Sequence, residues 1–278
     1  MPESPRPSAP ATGATGSGTS PEPRPSALVT GAATGLGEAV ALAFGGRGWR
    51  VALADIDAAG LATAAGRVRE AGGEAVTVAV DLLSADGPER MVNEAVAAFG
   101  RLDVLVNNAG YGTGEAFLAT TAASWDRTLG VNLRAVALAT AAAGRHMAEN
   151  RSGRIVNVTS PASRMALPNY AAYAASKAGV DSLTRSAAVA LAPFGVTVNS
   201  VAPGMMDTAM QRKTEEIFAR LEGREDIERF LEERTRRIPL GRRTDTETVA
   251  GMVVWLAADA PDYITAERLN VSGGLDRD

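Results

Sequence analysis

Apolar positions along this chain alternate between two regimes. Short, nearly unbroken aliphatic runs recur as SALVT (26–30), VALAD (51–55), AVTVAVD (75–81), LDVLVNN (102–108), RIVNVTS (154–160), TVNSVAP (197–203) and a last one around RLNVSG (268–273). Runs without a polar alternate are expected of strands covered on both faces. Between them lie longer Ala-rich stretches with helical spacing: LGEAVALAFGGRG (36–48), AGLATAAGRVREAGG (59–73), PERMVNEAVAAFG (88–100), the pair around Val131 to Glu149 and Ala171 to Phe194, and TETVAGMVVWLAADA (246–260). Strand followed by helix, repeated, demands parallel pairing through right-handed crossovers. The expected fold is α/β, one doubly wound parallel sheet forming a single domain over 26–278, with no solenoid-type repeat.

Met205 to Arg243 breaks this rhythm. The segment is strongly charged, with Ile217, Phe218, Leu221, Ile227, Phe230 and Leu231 at helical spacing. A solvated helical pair would account for it. It leaves the C-terminal end of a strand, however, where ligands bind in such sheets, and a short helical lid over 205–243 is the favoured reading.

Composition narrows the function. The chain has 278 residues, enough for one large α/β domain or two small ones, with a formal charge of −4 and no long basic run. Nothing there points to nucleic acid or an anionic membrane surface, and neither is an expected partner. Cysteine is absent, which removes disulfides, thiolate catalysis and zinc-cysteine sites. The single histidine, His146, sits in the polar run GRHMAENRSGR and reads as a solvent-facing residue near a helix end. Histidine triads and multi-histidine metal sites are therefore excluded, and no metal is expected. No apolar run has membrane-spanning length. Residues 1–25 are a Pro/Ser/Thr/Gly/Ala mixture without periodicity. They lack a signal's apolar core and cannot offset the entropy of ordering, so a disordered tail and a cytoplasmic location are expected.

The first strand runs into TGAATGLG, with Gly31, Gly35 and Gly37. Such glycines let the backbone turn tightly and approach a pyrophosphate, while the next helix offers its free N–H groups and dipole to that anion. A glycine triplet alone is weak, but strand before and helix after are the confirming context. Asp55 ends the second strand 18 positions beyond Gly37, near the offset at which a carboxylate meets the adenosine ribose. It would accept from the 2′-hydroxyl and repel a 2′-phosphate, and Thr34 in the turn adds no positive charge. NAD is expected in preference to NADP; Arg47 and Arg50 are explained by surface solvation. Asp57 reads as a helix N-cap. Asp81 and Leu82, then Asn107-Asn108-Ala109-Gly110, end the third and fourth strands and should lie along the same crevice.

In NYAAYAASKAG (169–179), Tyr173 and Lys177 are four apart and share a helix face, whereas Tyr170 has Ala174 at that offset. Tyr173 is the candidate proton carrier. A free phenol has a pKa of about 10, so base action near pH 7–8 asks for about 3–4 kcal/mol of phenolate stabilisation. One cation at about 4 Å supplies roughly 4 kcal/mol at an effective dielectric near 20. Ser160, ending the fifth strand thirteen residues earlier, could hold the substrate oxygen. Ser163 and Thr159 are rivals for that part. With no histidine or lysine near it in sequence, Ser160 makes a poor hydrolase nucleophile.

Together TGAATGLG, Asp81-Leu82, NNAG, Ser160, Tyr173-x-x-x-Lys177 and Pro203-Gly204 resemble the classical short-chain dehydrogenase/reductase family in order and spacing, from Ala27 to Leu275. The resemblance implies a Rossmann-type fold and an oxidoreductase acting on CH–OH groups. It implies Tyr173 as general acid/base, Lys177 on the nicotinamide ribose and lowering the tyrosine pKa, and Ser160 orienting the substrate oxygen. Asn132 in GVNLRAV would hold a water in a relay towards Lys177. The glycine turn with Thr34 and Leu36, and VAPGMMDT with Met206 and Thr208 near the carboxamide, would bind the cofactor. Homotetramers through the two long central helices would follow as well. Two departures stand out: RPSA leads into the first strand, and NVSGG replaces the more usual aspartate before the glycines.

The expected function is NAD-dependent interconversion of a secondary alcohol and a ketone, with a lean towards polyols or vicinal hydroxyketones. An NADPH-using carbonyl reductase of secondary metabolism is the rival within the class. A dinucleotide-binding regulatory protein without turnover is the rival outside it, and a retained Ser160, Tyr173 and Lys177 would serve it no purpose.

Overall fold

The computed structural model describes residues 24–276. The disordered tail expected over 1–25 lies outside them except for its last two residues. There Arg24 and Pro25 are held by their carbonyls, which accept from Arg50 Nε and Arg50 N at 3.0 Å each.

Seven parallel strands form the sheet: β1 (Ser26–Thr30), β2 (Arg50–Asp55), β3 (Glu74–Ala79), β4 (Val104–Asn107), β5 (Gly153–Val158), β6 (Val196–Pro203) and β7 (Arg268–Val271). Their spatial order is β3-β2-β1-β4-β5-β6-β7, so the winding reverses between β1 and β4. Each lies where the aliphatic runs predict. Every residue of β1 and β6 is buried, as strands covered on both faces require, whereas edge strand β3 buries only Ala75 and Val78.

The helices α1 (Gly35–Gly45), α2 (Ala58–Glu70) and α3 (Gly87–Phe99) follow the first three strands. Then come α4 (Ala122–Leu129), α5 (Ala135–Glu149), α6 (Ala171–Leu191), α7 (Ala209–Leu221), α8 (Ile227–Arg236) and α9 (Thr246–Val254). One apolar cluster joins Phe44, Leu61 and Val253 to one face of the sheet; another joins Met91, Ala143 and Ala188 to the opposite face. Between these layers a polar chain fixes neighbouring elements: Asn107 Nδ2 donates to Thr140 Oγ1 (3.1 Å) and Asn157 Oδ1 (2.8 Å), and Asn157 Nδ2 to Thr184 Oγ1 (2.9 Å). Buried amides with all these partners set strand and helix register rather than costing stability.

Helix α4 is absent from the sequence expectation. Its residues AASWDRTL carry no apolar stripe, and it is started instead by a capping box between Thr121 and Ser124. It runs into a π-helical turn at Gly130–Arg134, which replaces the first turn of the helix expected from Val131. His146 is half-buried near the end of α5, not solvent-facing: its Nε2 accepts from Leu102 N at 3.2 Å, tying α5 to the start of β4. The inserted segment forms α7 and α8, whose Phe218, Ala219 and Phe230 pack together against Tyr170. Among the described residues, no helix is long and apolar enough to cross a membrane.

Candidate active site

A cavity of about 740 Å³ lies along the C-terminal ends of β1, β2, β4, β5 and β6, at the reversal of winding. Its floor at the nucleotide end is the turn from β1 to α1. Gly31 has φ +66°, and a Cβ there would stand 2.9 Å from Ala109 Cα; a Cβ on Gly37 would stand 2.0 Å from the Gly31 carbonyl oxygen. The turn is therefore folded as tightly as glycine allows. Asn108 Nδ2 holds it from the side, donating to Thr30 O (2.9 Å) and Gly31 O (3.3 Å). Thr30 Oγ1 in turn accepts from Asn108 N (3.0 Å) and Ala109 N (2.9 Å). Thr30 is a site-building residue that sequence reasoning missed, because its partners lie on another strand.

Thr34, Gly35 and Leu36 line the cavity at the N-terminus of α1, and Thr34 caps no helical N–H with its side chain. Asp55 lines it too, its carboxylate fixed by Ala33 N (3.2 Å) and Asp57 N (3.1 Å). Asp57 caps α2 through Ala59 N and Gly60 N, as predicted. Asp81, Leu82, Asn108, Ala109 and Gly110 follow along the same wall, with Asp81 Oδ1 accepting from Leu83 N at 2.8 Å. Arg47 is bound to Asp259 at 2.6 and 2.7 Å, and Arg50 donates to Phe99 O at 2.8 Å. Neither arginine is available at the ribose. A glycine cradle that a Cβ would fill, beside a helix N-terminus and a ribose-placed carboxylate, fits a dinucleotide. Among the described residues, no group of three or more His, Cys, Asp or Glu is placed to hold a metal.

Ser160, Tyr173 and Lys177 meet at the other end. Tyr173 is half-buried; loss of hydration pushes its phenol above the ordinary value, and a hydrogen bond with Ser160 opposes the shift. Ser160 Oγ also accepts from Ala162 N at 3.2 Å. Lys177 Nζ lies 5.6 Å from the Tyr173 ring centroid and donates to Val158 O at 2.8 Å. Burial lowers Lys177 to about 8, against the opposing charge of Asp181. Among the protein's own groups, loss of hydration is the largest influence on both side chains, raising the phenol and drawing the ammonium towards neutrality. The rivals to Ser160 are committed elsewhere: Thr159 Oγ1 donates to Lys177 O (3.3 Å) and Ser163 Oγ to Asp181 Oδ2 (2.6 Å).

Gly37 and Asn132 lie behind the cavity wall. Asn132 is fully buried in the π-helical turn, and its amide clamps Tyr111, accepting from Tyr111 N and donating to Tyr111 O, both at 2.7 Å. It also donates to Ser176 Oγ at 3.0 Å. Its side chain is committed to holding the loop after β4 against α6. Pro203 and Gly204 end β6, with Gly204 N donating to Val271 O (2.9 Å), and Met206 pairs with Thr244. All three line the cavity, as does Thr208, whose Oγ1 caps α7 by accepting from Gln211 N at 3.2 Å.

Tyr170 also lines the cavity, with its phenol raised strongly by burial and hydrogen-bonded to Thr214 of α7. The inserted helices are tied down by a buried carboxylate. Glu215, fully buried, pairs with Arg234 (2.9 Å) and Arg243 (2.8 Å). Methionines 206 and 210 and Phe218 add apolar surface to the same cavity.

Three comparisons place this geometry. The family model described as enoyl-(acyl carrier protein) reductase matches residues 31–276. A 3-oxoacyl-[acyl-carrier-protein] reductase of Synechocystis is 39% identical over 251 residues, covering 90% of this chain and 96% of the relative. Among solved structures, an NAD+-bound xylitol dehydrogenase superposes with a TM-score of 0.87 at 32% identity, covering 91% of this chain and 100% of that one. A variant actinorhodin polyketide ketoreductase with NADPH gives 0.86 at 34% identity, covering 92% and 98%.

Proposed function

The chain belongs to the short-chain dehydrogenase/reductase family and is an oxidoreductase of CH–OH and carbonyl groups; on that premise we propose an NAD-linked interconversion of a secondary alcohol and a ketone with Tyr173 as the proton carrier. The observation that carries this reading is that Ser160, Tyr173 and Lys177 converge on one cavity, the same one that holds the glycine cradle.

A nicotinamide dinucleotide supplies the hydride acceptor or donor when bound. Gly31, Gly35 and Leu36 would receive its pyrophosphate, Asp55 its adenosine ribose, and Lys177 its nicotinamide ribose, with Pro203, Gly204, Met206 and Thr208 over the carboxamide. Ser160 holds the substrate oxygen, while Tyr173 takes the hydroxyl proton in oxidation and returns it in reduction. The clamp of Asn132 on Tyr111 keeps the loop after β4 against Lys177. Asp55, with neither Arg47 nor Arg50 free to meet a 2′-phosphate, supports NAD over NADP. An NADPH-using carbonyl reductase is the second reading, favoured by the likeness to the polyketide ketoreductase.

The lean towards polyols finds support in the likeness to a xylitol dehydrogenase. The Met165, Met206, Met210 and Phe218 walls favour a substrate with an apolar flank, a vicinal hydroxyketone before an open-chain polyol. Helices α7 and α8 act as the lid over it. A homotetramer is supported by Leu138, Val189 and Phe194, apolar and exposed on and just beyond α5 and α6. A cytoplasmic location accords with the absence of cysteine.

The test follows NADH absorbance over a panel of secondary alcohols and ketones, in parallel with NADPH and with Tyr173→Phe as control. Turnover that survives the replacement would remove Tyr173 from the mechanism; tighter binding of NADP than of NAD would reverse the cofactor assignment.

A further inference from the structure

Arg268 sits on β7, an edge strand, yet its side chain turns inward and is only 9% exposed. Its Nη2 donates to the Ser160 carbonyl at 3.0 Å, and its Nη1 to Asn270 Oδ1 at 2.5 Å. The same guanidinium pairs with Asp181 on α6 (Nε to Oδ2, 3.3 Å) and with Asp276 (Nη1 to Oδ2, 2.5 Å). Asp276 is itself buried, its side chain 3% exposed, with Arg164 3.9 Å away. One cation thus fastens the Ser160–Arg164 turn, α6 and the residues after β7 to each other.

Two features separate this cluster from a simple brace. A buried ion network is by itself a weak source of stability, since apolar packing of equal volume serves as well. This one instead grips the backbone carbonyl of the serine proposed to face the reacting oxygen. Asp181 follows Lys177 by one turn of α6; its Oδ2 takes Ser163 Oγ (2.6 Å) and Arg268, while its Oδ1 has no hydrogen-bond partner. The groups facing Lys177 are Tyr173 and Asp181 from α6, the Val158 carbonyl from β5 and the Asn132 clamp behind Gly110. Arg268 and Asp276 act on it through Asp181.

We propose that Arg268 is a positioning residue for proton transfer: it pins the Ser160 carbonyl so that the hydroxyl stays on Tyr173, and it holds the Asp181 carboxylate facing Lys177. This rests on the proposed roles of Ser160, Tyr173 and Lys177. The sequence marks the place only as a departure, RLNVSGG, with no aspartate before its glycines. Asp276, further along, supplies a carboxylate to this cluster.

The test uses the full chain carrying Arg268→Met, Arg268→Lys or Asp181→Asn. It measures kcat, KM and the pH profile of alcohol oxidation, NADH affinity by fluorescence, and tyrosinate absorbance of the unliganded protein with Tyr173→Phe as blank. Loss of the grip on Ser160 should lower kcat about 10- to 100-fold in Arg268→Met, as misplacement of a reacting group does. NADH affinity should change less than about threefold, and Arg268→Lys should recover part of the rate. Asp181→Asn removes the charge that favours protonated Lys177, so the phenolate loses support and the oxidation midpoint moves to higher pH.

Arg268→Met with unchanged kcat and pH profile, and only a lowered melting temperature, would overturn the proposal. If that variant does not fold, Asp181→Asn decides: an unmoved midpoint and an unmoved Tyr173 titration overturn it. Should the unaltered protein turn over nothing in the panel, the functional reading fails, while the Tyr173 titration still judges Arg268 and Asp181 alone.

Discussion

The ring of Tyr170 lies stacked on that of Tyr173, centroids 4.3 Å apart and planes 14° from parallel. On its other side Tyr170 meets Phe218 of α7 edge-on, at 5.1 Å and 82°. The tyrosine without a lysine one turn on is therefore the wedge between the reacting phenol and the inserted helices. It also packs tightly against the loop after β4, since a Cβ on Gly112 would stand 2.2 Å from its hydroxyl.

Replacing Tyr170 by Phe keeps both ring contacts and removes only the hydroxyl. It should leave turnover within a few-fold, whereas Tyr170→Ala should destabilise the protein by about 3–5 kcal/mol, as for other large aromatic deletions, and lower kcat. Tyr173→Phe should do the reverse, sparing stability and removing about 10²–10⁴ in rate. Paired denaturation curves and steady-state rates check the contrast. A Tyr170→Phe variant as inactive as Tyr173→Phe would mean that the assignment of the proton carrier is wrong.

What was legible in sequence and what was not divides along contact distance. The five inner strands read directly because both of their faces are buried, the edge strands β3 and β7 because they keep short aliphatic runs, and glycine spacing and the Tyr173–Lys177 offset are local geometry. Thr30, Tyr170 and Arg268 carry no local mark; each matters through a partner many residues away, at Asn108, Phe218 and Ser160. Helix α4 escaped because its capping box, not an apolar stripe, starts it. The sign of the Tyr173 shift could not be read from spacing either, because it depends on burial, which the i, i+4 rule does not describe.

Lys177 should be a measurable burden on stability. Its folded value of about 8 lies below the usual 10.5, so the unfolded chain binds the proton more tightly. Stability must then rise with pH between those values, and the cost of burying the ammonium is fully present below pH 8. A shift of this size corresponds to about 3 kcal/mol, partly offset by the bond to Val158. Lys177→Met should therefore be inactive yet more stable at pH 7. Its advantage should shrink by about 2 kcal/mol as pH rises from 7 to 9.5. Urea melts at the two pH values measure this; an advantage independent of pH would mean the lysine is already neutral.

Two glycines of the nucleotide turn should respond oppositely to alanine. At Gly37 the new methyl group would meet the Gly31 carbonyl at 2.0 Å, backbone against backbone, so the turn itself must open. At Gly35 nothing lies within 4 Å, and the cost is the positive φ of +63° alone, about 1–2 kcal/mol for a residue with a Cβ. Gly37→Ala should abolish dinucleotide binding in a fluorescence titration. Gly35→Ala should keep the fold and lose only a few degrees in melting temperature.

Asp55 offers the sharpest handle on cofactor choice, because its carboxylate is oriented by two backbone N–H groups and nearby cations are otherwise engaged. Ala33 N and Asp57 N each approach one carboxylate oxygen, leaving the remaining lone pairs for a ribose diol. Removing the side chain would also strand those donors, so Asp55→Asn is the cleaner change: it keeps one acceptor oxygen and removes the charge. Affinity for NAD should fall about 10-fold, the equivalent of roughly 1.4 kcal/mol. NADP, relieved of repulsion between the carboxylate and its 2′-phosphate, should bind more tightly than before. Calorimetric titration of both dinucleotides gives the ratio, and raising the salt should narrow the gap in the unaltered protein because exposed charges are screened. An unchanged ratio in Asp55→Asn would show that selectivity is set by shape at the β1–α1 turn and not by this charge.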